Sequence, residues 1–129
     1  MITEVNPDKQ KSASLRKMAK ITLERLDKTD IEEYPSNTLL DYYDVVHKLM
    51  EAFTLEKGIK IKGEGAHQEL IDYVAKQNNF DEQTRQFLQQ MRDYRNRISY
   101  EGFMINKNYI LLNKGRIQNV INKLFTEIK

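Results

Sequence analysis

The sequence predicts an all-α protein, a single antiparallel bundle of four to five helices over residues 1–129, and three observations carry that expectation. The chain has only two prolines, Pro7 and Pro35, so everything from Ser36 onward lacks the residue that most reliably breaks a helix. Glycine is scarce too, with three of the five glycines gathered at Gly58, Gly63 and Gly65. Between these breaks the apolar residues return every three or four positions instead of alternating, which is the helical period. At 129 residues, 40% hydrophobic and 31% charged, the chain can build one core and has no room for a second domain.

The first helix is expected over residues 9–27, with Leu15, Met18, Ala19, Thr22 and Leu26 on one stripe. Residues 29–35 read as a turn. Ser36, directly after Pro35, is placed to cap a second helix that carries Leu39, Tyr43, Val46, Met50 and Phe53 at alternating spacings of four and three. Residues 58–65 leave helical geometry, and their glycines and lysines read as an exposed loop, because the pattern lacks the Lys-Ser/Thr ending of a phosphate loop and follows a helix instead of a strand. A short third helix over residues 66–77 offers Leu70, Ile71 and Val74 to the core. Asp81 is the expected cap of a fourth helix, whose stripe is Phe87, Leu88, Met91, Tyr94 and Ile98 and whose end is Gly102. The last helix, residues 106–128, buries Ile110, Ile117, Val120, Ile121, Leu124 and Ile128, with Gly115 as a point of interruption.

Charge and composition exclude several function classes. The net charge of +2 comes from 21 basic and 19 acidic residues, too balanced for electrostatics alone to require a nucleic-acid partner. The charges are nonetheless segregated: residues 104–129 hold five Lys/Arg and one acid, whereas residues 31–60 hold six acids and three lysines. The absence of cysteine removes disulfides, thiolate metal sites and a cysteine nucleophile, and points to the cytoplasm. No apolar run approaches the roughly 20 residues of a membrane span, so no membrane partner is expected. His47 and His67, with no helical partner histidine and no His-Glu-x-x-His pattern, make no metal site, and no cofactor is implied.

The fourth helix carries the chemistry. Arg95 stands seven residues after Leu88 and four after Met91, which puts its guanidinium at the edge of the apolar stripe. A partly desolvated arginine cannot shed its charge, so it either pairs with an acid such as Asp41, Asp44 or Asp72 or holds a bound anion. Arg92 is its neighbour at i, i+3, Asn96 and Arg97 add donors, and Tyr94 and Tyr100 add aromatic faces that could stack on a base. Arg97 lies on another face, as a solvated charge or a subunit contact. His47 reads as a hydrogen-bonded histidine on the flank of its stripe, and His67 approaches Arg95 only if the third and fourth helices pack side by side.

The run Arg92-Asp93-Tyr94-Arg95-Asn96-Arg97-Ile98-Ser99-Tyr100-Glu101-Gly102, followed by one more amphipathic helix, resembles the signature region of HEPN domains. The glycine loop with His67 and Leu70-Ile71 after it is similar to the loop and third helix of the prokaryotic members, so the resemblance covers most of the chain. It implies a helical bundle, a homodimer, a metal-independent ribonuclease in many members, and a small nucleotidyltransferase-like antitoxin as partner. Active members carry an arginine, often followed by asparagine, and a histidine four to six residues later. Arg95 and Asn96 match the first half, and Tyr100 stands in the histidine's place. A phenol with an ordinary pKa of about 10 is a poor general base near neutrality.

Three readings follow. The first is a HEPN-like domain that binds RNA, a nucleotide or a nucleotidyltransferase-like partner without turnover, through Arg92, Tyr94, Arg95 and His67. The second is a metal-independent ribonuclease toxin that uses Arg95, Asn96 and Tyr100, or His67. The third is a helical protein-interaction module in which Arg95 is structural.

Overall fold

The protein is an all-α bundle of five helices with one two-stranded sheet, and the computed structural model describes residues 1–128. Its first helix, α1 (Lys9–Asp27), starts at Asp8, whose carboxylate accepts a hydrogen bond from the Lys11 amide at 2.9 Å. The buried face runs through Ser12, Ala19 and Leu26, while Met18 is exposed. The expected stripe is thus rotated toward Ser12, which enters the core because its hydroxyl donates to the Ala52 carbonyl at 2.7 Å.

Helix α2 (Pro35–Lys57) is the axis of the molecule and packs against α1 and all three helices described below. It is consequently buried on most of its circumference, with Tyr42, Val45, Leu49 and Ala52 inside as well as the expected Leu39, Tyr43, Val46, Met50 and Phe53. The start differs from expectation by one position. Tyr34 is the N-cap and Pro35 the first helical residue, where its missing N–H is no loss because first-turn amides have no helical acceptor. Ser36 serves another purpose: its Oγ accepts from the Ile105 amide at 3.1 Å, tying the segment after the fourth helix to the start of α2.

Residues 58–65 are more ordered than an exposed loop. After Gly58, which ends α2 at φ 74°, strand β2 (Ile59–Ile61) pairs antiparallel with strand β1 (Ile2–Glu4), Thr3 opposite Lys60. The pairing continues as the Val5 amide donates to the Gly58 carbonyl at 2.8 Å. A three-residue strand is too short to leave a period in the sequence, which is why the pattern read as loop. A Cβ on Gly58 would lie 2.6 Å from the Val5 carbonyl oxygen, so the position requires glycine twice over, for its φ and for its bareness.

Helices α3 (Ala66–Gln77), α4 (Glu82–Glu101) and α5 (Lys107–Glu127) complete the bundle. Leu70, Ile71 and Val74 are buried on α3 as expected. Asp81 caps α4 by accepting from the Thr84 amide at 2.8 Å, and Gly102 closes it at φ 70°. Phe87, Leu88 and Met91 are buried, whereas Tyr94 and Ile98 are half-buried. Helix α5 runs unbroken through Gly115, since the core contacts of Ile110 and Ile117 on either side hold the helix across it.

Candidate anion-binding site

On α2, Tyr43, His47 and Glu51 stand four residues apart and therefore share one face. His67, in the first turn of α3, is brought onto that face because α3 packs against both α2 and α4. The two imidazoles stack, with centroids 4.5 Å apart and planes 19° apart. His47 Nε2 lies 2.7 Å from Glu51 Oε1, which fixes the ring and leaves Nδ1 buried with no hydrogen-bond partner among the described residues. Arg92, Arg95 and Ser99 face the same side from α4, at the i, i+3, i+7 spacing of one helical face. Together these elements enclose a cavity of about 300 Å³ lined by Leu40, Asp41, Tyr43, Asp44, His47, His67, Arg95 and Ser99. A second cavity of about 450 Å³ meets the two imidazoles beside Asp8, Lys11, Glu51 and Lys60.

The acids that could neutralise Arg95 are engaged elsewhere. Asp41 pairs with Arg25 at 2.5 Å, Asp44 with Lys48 at 2.6 Å and Asp72 with Arg85 at 2.9 Å. Arg95 Nη1 instead donates to the neutral Asn96 Oδ1 at 3.0 Å and sits 3.5 Å from the Tyr100 hydroxyl oxygen, the long limit of a hydrogen bond. Arg92 likewise donates to a neutral group, Gln89 Oε1, at 3.1 Å. Both guanidiniums are half-buried, and neither has a carboxylate within ion-pair distance among the described residues.

The ionisable groups respond chiefly to burial and hydrogen bonding, with the two arginines as a secondary influence. Burial pushes the Tyr43 phenol up to about 12, against the opposing pull of Arg92 and Arg95, and its hydroxyl has no hydrogen-bond partner among the described residues. Partial desolvation also holds His67, exposed as a residue, below the usual imidazole value, and His47, Arg95 and Arg92 act in the same direction while Glu51 opposes them. Glu51 is held below the usual carboxylate range, chiefly by the hydrogen bond from His47. The site therefore sets the guanidinium of Arg95 beside two ion-paired carboxylates, Asp41 and Asp44, in a pocket where one phenol hydroxyl and one imidazole nitrogen lack partners among the described residues.

The structure brings Arg95 and His67 into one cavity, with Arg92 and Asn96 beside it. Tyr100 stands at the rim, 77% exposed, with its ring centroid 5.8 Å from the Arg95 guanidinium carbon. Tyr94 lies apart from them, packed on Phe103 and Tyr109 with centroids 5.5 and 5.3 Å away. Arg97 rests over the Phe103 ring at 4.1 Å. Sequence reading left Tyr43 in the core and did not single out Glu51. The signal for both was the spacing of four from His47, and what hid it was that stacking of His47 on His67 is visible only in three dimensions.

No family model, curated protein or solved structure matches the chain. Among the described residues no group of three or more His, Cys, Asp or Glu is placed to hold a metal ion, and no helix is long and apolar enough to cross a membrane.

Proposed function

We propose that the chain is a HEPN-like domain that binds RNA or a nucleotide without turnover, through a phosphate group seated in the cavity between α2, α3 and α4. The observation that carries this reading is Arg95, a half-buried guanidinium that lines the cavity and whose three candidate acids are all committed to other cations. A charge that is desolvated and unpaired is costly unless a ligand completes it. Asn96 holds the guanidinium in place, and Tyr100 at the rim offers a face on which a base can stack. Tyr94 enters this reading as a packing residue behind the helix. Calorimetric titration of the chain with a nucleoside monophosphate and with a short single-stranded RNA tests it: binding that disappears in Arg95→Ala supports the reading, and binding unaffected by that change refutes it. The same titration with a small nucleotidyltransferase-like protein tests the alternative partner.

A second reading, a metal-independent endoribonuclease, is favoured by the shared cavity of Arg95 and His67. In it the guanidinium stabilises charge on the attacked phosphate and His67 or Tyr100 exchanges the proton. RNA cleavage that survives EDTA and is lost in both Arg95→Ala and His67→Gln would place this reading first.

A homodimer completes the proposal. Tyr100, Met104 and Leu112 are 77%, 78% and 82% exposed and Leu111 is exposed as well, large apolar side chains that follow the arginines in the sequence and that a second copy could cover. Sedimentation at tens of micromolar, an order of magnitude suited to weak dimers, should show dimer for the native chain and monomer for Leu112→Glu.

A further inference from the structure

The cations around the cavity are of two kinds. Arg92 and Arg95 carry permanent charge, whereas His47 and His67 carry charge only on gaining a proton. Charging both rings at once is opposed by their own geometry. Two rings stacked at 4.5 Å repel each other once charged, and the arginines of α4 lie on the same side. On α2 the opposing charges are Glu51, against His47, and Asp41 and Asp44, each neutralised by its own cation. From the far side, Lys11 of α1 and Lys60 of β2 add positive charge and Asp8 negative charge around the second cavity. An anion between Arg95 and the imidazoles would reverse this balance.

We propose that His47 and His67 belong to the ligand site itself, and that the cavity selects a phosphate monoester in its dianionic form and takes up a proton with it, held on the stacked imidazole pair. The proposal rests on the anion-binding reading and deepens it. A phosphodiester brings one charge and two free oxygens, which the fork of Arg95 satisfies alone. A monoester dianion brings a second charge and a third oxygen, which the arginine leaves unmatched and an imidazolium matches. Tyr43, whose buried hydroxyl lacks a partner among the described residues, lines the same cavity and offers a further donor, and Nδ1 of His47 becomes one when that ring carries the proton. A volume of about 300 Å³ is at the small end for ligand pockets, suited to a phosphate and its sugar.

The chain contains two histidines, so their ring Cε1–H signals are resolved and assignable in an NMR pH titration. Ribose 5-phosphate serves as the monoester probe and dimethyl phosphate as the diester probe. Saturating ribose 5-phosphate should raise the His67 midpoint, whereas dimethyl phosphate should leave it nearly unmoved, and at pH 7.5 the monoester should bind at least about tenfold tighter, the worth of one charged hydrogen bond. Calorimetry of ribose 5-phosphate in two buffers of different ionisation enthalpy should show net proton uptake that His67→Gln abolishes. His67 is exposed and its replacement leaves the core intact; His47→Gln, checked for folding by circular dichroism, should reduce the uptake as well. Equal affinities for the two probes without proton uptake would overturn this inference while Arg95-dependent binding left the anion site standing. Failure of both probes to bind or to shift either histidine would overturn both.

Discussion

His47 and His67 lie twenty positions apart in the chain, and their rings stack at 4.5 Å in a first-turn-to-mid-helix contact between α3 and α2. That contact turns two isolated histidines into one side of a cavity whose other side is Arg95. Glu51 steadies the inner ring from below, so the pair has a defined orientation before any ligand arrives. Pre-organisation of this kind lowers the entropy a site loses on binding.

Tyr43→Phe separates folding from binding. The hydroxyl is buried without a partner among the described residues, and such a group costs roughly 1–3 kcal/mol. The variant should therefore gain about 1 kcal/mol in urea unfolding while losing affinity for a phosphate ligand. It should also flatten the alkaline stability profile. The native phenol is raised from 10.0 to about 12, so its contribution is complete below pH 10 and is lost as pH rises through 12. A variant that is destabilised instead would mean that the hydroxyl is satisfied in the fold.

Acid should weaken the fold in two stages. His67 is held below its ordinary 6.5, so the unfolded chain binds the proton first, and stability falls as pH drops from 6.5 through the lower native value. Glu51 is held below its ordinary 4.5, and its contribution is present above 4.5 and lost as pH falls through the native value. Thermal melts of His67→Gln should lack the first stage and keep the second. An unchanged first stage would assign it to another group.

Two glycines should respond in opposite directions. Gly58→Ala meets the Val5 carbonyl at 2.6 Å in a left-handed backbone, and should cost more than about 2 kcal/mol with loss of amide protection in β1 and β2. Gly115→Ala lies within a continuous helix with nothing within 4 Å of the new Cβ, and should gain about 0.5–1 kcal/mol. Chemical denaturation of both proteins checks the pair.

Tyr100→His tests the rim. Because Tyr100 is 77% exposed, the change should move stability by less than about 0.5 kcal/mol. The new imidazole would stand near Arg95, where general-base chemistry is worth about 100-fold or more. RNA cleavage should rise in Tyr100→His and vanish when Arg95→Ala is added. No rise in cleavage would place the rim outside any reacting geometry.

The helices and most of their ends were legible in the sequence because they rest on local forces. Asp81 caps α4 through an amide three residues away, Gly102 closes it by its own φ, and the stripe Phe87, Leu88 and Met91 follows from the pitch of one helix. Arg95 was legible for the same reason, as a charge at the edge of that stripe. Less local features were misjudged: the pairing of β1 with β2 depends on partners nearly sixty residues apart, and Ser36 bonds to Ile105 instead of capping its own helix.

The sequence by itself determined an all-α chain, most of its helix limits and the positions of Arg95 and His67 on their own helices. Tertiary structure alone decided that Asp41, Asp44 and Asp72 are spent on Arg25, Lys48 and Arg85, leaving Arg95 unpaired, and that His47 and His67 meet beside it. The physical reason is that helical pitch sets which residues share a face, whereas the rotation and register of one helix against another are set by packing of the whole core. A face is written in a dozen residues; which faces meet is written in all of them.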